Sequence, residues 1–360
     1  MDLISATASR RPRKSGGPRA TVKTLPPLGS QLHGNDEKGA PPPDPTRAKT
    51  AVGAMLLAAA AGLAALLLFP KKADNRTRGS ARRPTGSNPE ARAAAARQLD
   101  GGAAVLAFAV LSDSGLEHYR GSYFNRFMYV PLVVSTMALG VSLHGIRDEE
   151  KFLQRTRDAV YALAALTGLA GSGFHLYNLG KRPGRYAFQN LFYGAPIGAP
   201  FALLLAGLLG VAAERIRDAE RGEKPTLAGI PEGRALAGVT AAGLLGTVGE
   251  VALFHFRGAY HDPFMFLPVT VPPAAALGMA RAALDSRRRP RPLTRAMLRA
   301  TAGLGVAGIS LHVYGVSRNM GGWRNWSQNL LNGPPLPAPP SFTGLALAGL
   351  AALRLVEFAR

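Results

Sequence analysis

Apolar residues in this chain fall into blocks of about twenty separated by short polar connections, the length a bilayer's hydrocarbon core demands of a helix. The first block, Ala51–Phe69, is an Ala/Leu run closed by Pro70-Lys71-Lys72. Eight more follow, over 101–120, 127–144, 158–179, 191–216, 235–257, 264–284, 294–316 and 341–358. The pattern predicts an all-α, polytopic (multi-pass) membrane protein. It consists of two tandem, parallel four-helix transmembrane units, 101–217 and 235–360, joined by a linker over 218–234. Ahead of them come a disordered basic segment over 1–50, a transmembrane or signal-anchor helix over 51–69, and a basic polar linker over 70–100 that turns helical near Pro89.

The division into two units rests on repetition. Asp113-Ser-Gly-Leu-Glu-His118-Tyr-Arg120-Gly121 returns 137 residues later as Glu250-Val-Ala-Leu-Phe-His255-Phe-Arg257-Gly258. The same spacing relates Tyr123 to Tyr260, Met128 to Met265, Pro131 to Pro268 and His175-Leu-Tyr177 to His312-Val-Tyr314. After a two-residue slip, a spacing of 139 relates Gln189-Asn190-Leu191 to Gln328-Asn329-Leu330, Gly194 to Gly333 and Pro196 to Pro335. Ordered matches in one frame are the signature of an internal duplication.

Four spans per unit return the chain to the side it started from, so both units run the same way, as parallel repeats do. His118, His175, His255 and His312 then all lie near one membrane face, together with the connections carrying Tyr123, Asn125, Arg126 and Gln189-Asn190. Connections on the opposite side are more basic: Arg147, Lys151, Arg155 and Arg157 in one, and Arg287, Arg288, Arg289 and Arg291 in another. The positive-inside rule therefore puts the histidine face at the exterior or periplasmic side of a cell (inner) membrane. A spanning Ala51–Phe69 would carry the basic N-terminus to that side too, against the same rule; the sum over the loops outweighs it.

Composition refines this picture. Only 18% of residues are charged, against roughly 25% in soluble domains. The net charge of +21 could suggest nucleic acid, but Lys and Arg sit in connections between spans, and no basic soluble domain with interleaved aromatics is left over. No nucleic-acid partner is expected. With Cys 0 the chain can form neither disulfides nor thiolate-held clusters.

The four repeated histidines are the sharpest chemical signal, because imidazole within a membrane faces a bundle interior or a cavity. Gly168 and Gly171 precede His175, and Gly305 and Gly308 precede His312, at helical spacing on the same face. Small residues beside an axial histidine would let a macrocycle approach; equally, they would let two helices pack closely. The specific expectation is two b-type haems, one held by His118 and His175, the other by His255 and His312, with Gly171 and Gly308 giving clearance and Arg120 and Arg257 neutralising propionates. Asp113 and Glu250, each seven residues before an arginine, read as an intramembrane charge pair or a proton relay. Metal ligands come three or four to a site, and no such set is visible, so no metal-ion site is predicted. His144 and His261 read as ordinary interfacial residues, and Trp323, Trp326, Tyr186 and Phe188 as interfacial aromatics.

These features suit a haem-b electron-transfer or quinone-reactive membrane subunit whose partners are the lipid bilayer, a soluble redox protein and quinone. They also suit a transporter of a small polar or ionic solute, a membrane anchor for a soluble partner, or an acid/base enzyme. No phosphate-binding loop, nucleophile elbow or HExxH motif is present.

Overall fold

The structure, a computed structural model, describes residues 89–147, 153–219, 226–227, 229–285 and 292–358. Of these, 84% are helical. The expected segments over 1–50 and 51–69 lie outside the described residues.

The elements run α1 (Pro89–Arg120), α2 (Val130–Arg147), α3 (Gln154–Gly180), α4 (Phe188–Tyr193), α5 (Gly198–Asp218), the strands β1 (Thr226–Leu227) and β2 (Ile230–Pro231), α6 (Glu232–Arg257), α7 (Leu267–Leu284), α8 (Pro292–Arg318), α9 (Trp326–Asn332) and α10 (Pro340–Phe358). Seven helices among the described residues are long and apolar enough to cross a membrane. The chain is a membrane-embedded, predominantly helical protein by that measure; α10, the eighth expected repeat span, is not among the seven. Phe108, Val133, Leu163, Leu245, Leu277 and Val306 stay exposed along these helices, as side chains facing lipid do.

Three boundaries differ from the sequence expectation. α1 starts at Pro89, so the last twelve residues of the expected linker are helix. Pro suits a first helical turn, the Ala-rich stretch that follows favours helix, and Ala91, Ala95, Ala96 and Leu99 are buried against neighbours. The span expected from Leu191 to Ile216 is broken: α4 ends at an extended Gly194, and the chain re-enters helix at Gly198. Pro196 and Pro200 lack the N–H groups a continuous helix would need. The connection from α5 to α6, expected as a linker, holds a two-residue antiparallel hairpin, Thr226 opposite Pro231 and Leu227 opposite Ile230.

α1, α5 and α10 form the centre. α1 packs on α2, α5 and α10; α3 packs on α5; α6 packs on α7 and α10; α8 packs on α10. Close approach is set by small residues, the usual means of helix association in lipid. A Cβ on Gly102 would sit 2.8 Å from the Gly344 carbonyl oxygen, and one on Gly344 would sit 2.9 Å from that of Gly102. α1 and α10 therefore touch backbone to backbone. α3 and α5 do the same where Gly168 faces Pro200 and Leu204, and where Gly207 faces Tyr161 and Ala165.

Candidate functional site

The histidine end is built by a turn that occurs twice. After α1 the chain passes through Ser122 and Tyr123 with φ of 57° and 47°, and after α6 through Ala259 and Tyr260 with φ of 56° and 46°. Left-handed backbone in residues with a Cβ is strained and persists only where other contacts fix it. Here the Tyr123 hydroxyl donates to the Gly115 carbonyl at 3.1 Å and its ring stacks on Tyr129, with centroids 4.6 Å apart. Tyr260 donates to the Ala252 carbonyl at 3.2 Å and stacks on Phe266 at 4.7 Å. Asn125 and Asp262 cap the short 3₁₀ turns that follow by accepting from the Phe127 and Phe264 amides.

That turn brings a carbonyl onto each histidine. His118 Nδ1 lies 2.6 Å from the Met128 oxygen and His255 Nδ1 lies 2.8 Å from that of Met265. The other pair behaves alike: His175 Nδ1 is 2.6 Å from the Pro196 oxygen and His312 Nδ1 is 2.7 Å from that of Pro335. In a helix the carbonyls of Pro196 and Pro335 would receive the N–H four residues on, but those residues are Pro200 and Pro339, which have none. His175 supplies the missing donor to Pro196, and His312 adds one to Pro335, which also accepts the Ala338 amide at 3.4 Å. A carbonyl can only accept, so each imidazole is protonated at Nδ1, and a neutral ring then carries its lone pair at Nε2. None of these four Nε2 atoms bonds another described residue. His118 is within electrostatic range of His175, and His255 of His312.

The other candidates take different positions. Arg120 donates to the Leu331 carbonyl at the end of α9 and pairs with Glu117 at 2.8 Å. Arg257 donates to the Phe192 carbonyl at the end of α4 at 3.3 Å and lies over the Tyr193 ring. Each arginine thus holds a helix end belonging to the other half of the chain, where it meets the negative pole of a short helix. The contacts the two arginines make are docking contacts between elements. Gly171 and Gly308 face Pro200 and Pro339, whose Cβ atoms would lie 3.0 and 2.8 Å from an added Cβ. At these two positions the glycines let α3 and α8 approach the prolines closely, as small residues at helix contacts do.

Neither acid pairs with the arginine seven residues on. Glu250 accepts the Gly198 amide at 3.0 Å and so caps the first turn of α5. The residue matching Gly198 at the 139-residue spacing is Pro337, which has no amide hydrogen. Asp113, the match to Glu250, makes no hydrogen bond or ion pair among the described residues. Glu250→Ala is accordingly expected to lower stability by about 1–2 kcal/mol through loss of the cap. Asp113→Ala should leave stability unchanged or raised. Thermal unfolding of both variants in one detergent checks this, and a larger loss for Asp113→Ala would refute the division of roles.

At the opposite helix ends lies a second polar cluster that sequence reasoning missed. Arg157 makes a two-pronged ion pair with Glu214, at 2.9 and 3.1 Å, with both side chains only 1% exposed. Arg217 pairs with Glu214 and with the fully buried Asp100, and donates to the Gly145 carbonyl at 2.7 Å. Tyr161 donates to Asp100 at 2.8 Å and lies 3.1 Å from the Ser142 hydroxyl; Arg157 also reaches His144 Nδ1 at 3.2 Å. His144 is therefore a network member, not a simple interfacial residue. Every long helix of the first half contributes. The matching positions of the second half are Ala237, Met279, Arg281, Thr294, Leu298, Leu353 and Val356, mostly buried and apolar. Setting the two halves of the sequence side by side at the 137- and 139-residue spacings would have exposed the contrast.

Among the described residues no three His, Asp or Glu side chains converge as a metal ion would require. Comparison with protein-family models, curated proteins and solved structures finds no match to the chain.

Proposed function

We propose that the chain is a tandem duplication of a four-helix membrane unit, and that it serves as a b-type haem electron-transfer subunit. On this reading His118 with His175 would hold one haem, and His255 with His312 would hold the other. The observation that carries the reading is the fixed tautomer: four imidazoles in lipid-embedded helices spend Nδ1–H on a carbonyl and keep Nε2 unpartnered. Metal-ligating histidines are oriented in the same way, the outer hydrogen bond setting the tautomer and raising ligand basicity. Pairs of imidazoles, rather than triads, suit a group that brings its own four equatorial nitrogens. Haem would supply one-electron exchange; the protein's part is to hold the rings and keep water away.

The cross-links between halves support a rigid carrier over a transporter. Arg120 to Leu331, Arg257 to Phe192 and Glu250 to Gly198 strap the halves at the histidine end, whereas alternating access requires one half to rock against the other. Asymmetry in loop charge supports a histidine face at the exterior or periplasmic side of the inner membrane, where a soluble redox protein would dock.

The test is the visible spectrum of the full chain purified from membranes of cells supplied with a haem precursor. The reading expects a Soret band and a reduced-minus-oxidised α band at two haems per chain. His175→Ala and His312→Ala should each remove about half of the signal, and the double variant should remove all of it. A well-folded protein with no chromophore would sink the haem reading and leave a membrane scaffold.

A further inference from the structure

The two halves differ at one surface in a way that opens a space. A groove of about 540 Å³ is lined by Tyr119, Arg120, Ser122, Tyr123, Tyr129, Leu331 and Asn332. At the matched positions of the other half stand Phe256, Arg257, Ala259, Tyr260, Phe266, Phe192 and Tyr193. There the space is filled by rings. Phe192 meets Phe256 with centroids 5.9 Å apart and Tyr193 at 5.9 Å, Phe188 packs on Phe192 at 4.7 Å, and Arg257 covers Tyr193 at 5.0 Å. In the groove, Leu331 and Asn332 replace two of those rings and leave room. Tyr119, Ser122 and Tyr129 replace Phe256, Ala259 and Phe266, which adds three hydroxyls to the wall.

Every one of these exchanges either empties the space or adds a hydrogen-bonding group. The hydroxyls of Tyr119, Ser122 and Tyr129 and the Asn332 amide bond no other described residue. The Arg120 charge is balanced by Glu117, so the wall is close to neutral and selects against an anionic headgroup. Stacked Tyr123 and Tyr129 offer a flat aromatic surface. The groove lies among exposed aromatics at the ends of spanning helices, where an occupant can arrive from the lipid. We infer that this groove binds the ring of a membrane quinone, its carbonyl oxygens accepting from the tyrosine, serine and asparagine groups and its face lying along the tyrosines. The inference stands on the groove alone for binding, and rests on the electron-transfer reading for what the bound quinone does.

The chain carries its own reporter, because its two tryptophans are Trp323 and Trp326. Trp326 opens α9, about 7.5 Å along the helix from Leu331. A short-chain ubiquinone analogue titrated into the detergent-solubilised full chain should quench this fluorescence saturably in the micromolar range. Leu331→Phe with Asn332→Tyr, which installs the rings of the other half, should abolish the saturable component. Ser122→Ala with Tyr129→Phe, which removes only hydroxyls, should weaken it about tenfold while the unfolding temperature stays put. His175→Ala with His312→Ala should leave quenching intact, so a failure of the haem reading and a failure of this one are separately visible. Linear, non-saturating quenching that is the same in the native chain and both groove variants would show mere partitioning into the micelle and overturn the inference.

Discussion

Arg157→Ala is expected to lower the stability of the protein by about 3–5 kcal/mol, the usual consequence of stripping one partner from a buried ion pair. The Glu214 carboxylate would lose both prongs of its bond to Arg157, keeping only Arg217, in a site that is 1% exposed. His144 would lose its donor at the same time. Replacing the network as a whole should behave differently. Asp100→Ala, Ser142→Met, Arg157→Thr, Tyr161→Leu, Glu214→Leu and Arg217→Val together install what the second half already uses at those positions. Exchanging a buried charge network for well-packed apolar residues is often neutral or stabilising by about 1–4 kcal/mol. Chemical unfolding in detergent, followed by helical circular dichroism, compares the two. If the single variant loses less than the sixfold one, the network is not held together by charge pairing. The internal contrast matters for interpretation: the other half has an uncharged residue at each of these six positions, so the charges at those positions are not dictated by packing.

Gly168→Ala is expected to destabilise by about 1–3 kcal/mol, the range for overpacking. An alanine favours helix by about 1 kcal/mol over glycine, so this loss runs against propensity. The reason is backbone contact. The new Cβ would fall 2.6 Å from the Pro200 carbonyl oxygen, with the Leu204 amide nearer still, and neither can swing aside as a side chain could. α3 and α5 would have to separate along a crossing that Gly207 also keeps tight. Gly246 gives the control: it sits in α6 with nothing within 4 Å of an added Cβ. Gly246→Ala should therefore be neutral or stabilising by up to about 1 kcal/mol. Opposite signs for the two substitutions, read as unfolding midpoints under one condition, would establish Gly168 as a packing position. Equal effects would refute it.

Hydropathy alone located α2, α3, α6, α7, α8 and α10 to within about four residues, because lipid imposes length and polarity directly. It was weakest where another force governs. α1 begins at Pro89, well before its apolar run, since small alanines there bury against neighbours without raising hydropathy much. α4 and α9 are too short for any periodic signal, and it is Gly194 and Gly333 that end them. The histidines were visible as residues, yet their Nδ1 partners were not, because a carbonyl denied its helical i+4 donor by proline is recognised only once the two segments are placed side by side. Arginines and acids were read along one helix at seven-residue spacing, whereas Arg120, Arg257 and Glu250 bond across to the other half and Asp113 does not. Asp100 and Arg157 were lost to the assumption that a charged residue at the edge of an apolar run belongs to a loop.

The crossed straps carry one more implication. Arg120 grips the helix end of residues 326–332 while Arg257 grips that of 188–193, so each half offers the same hook and the same eye. If both halves descend from one unit, that unit possessed everything needed to clasp a second copy of itself about a two-fold axis, and its earliest form was a homodimer with self-complementary faces. Fusion into one polypeptide released the two faces from having to match. On that reading, Pro337 standing where Gly198 stands in the other half, and uncharged Leu353 and Val356 standing where Glu214 and Arg217 stand, are what that freedom would permit.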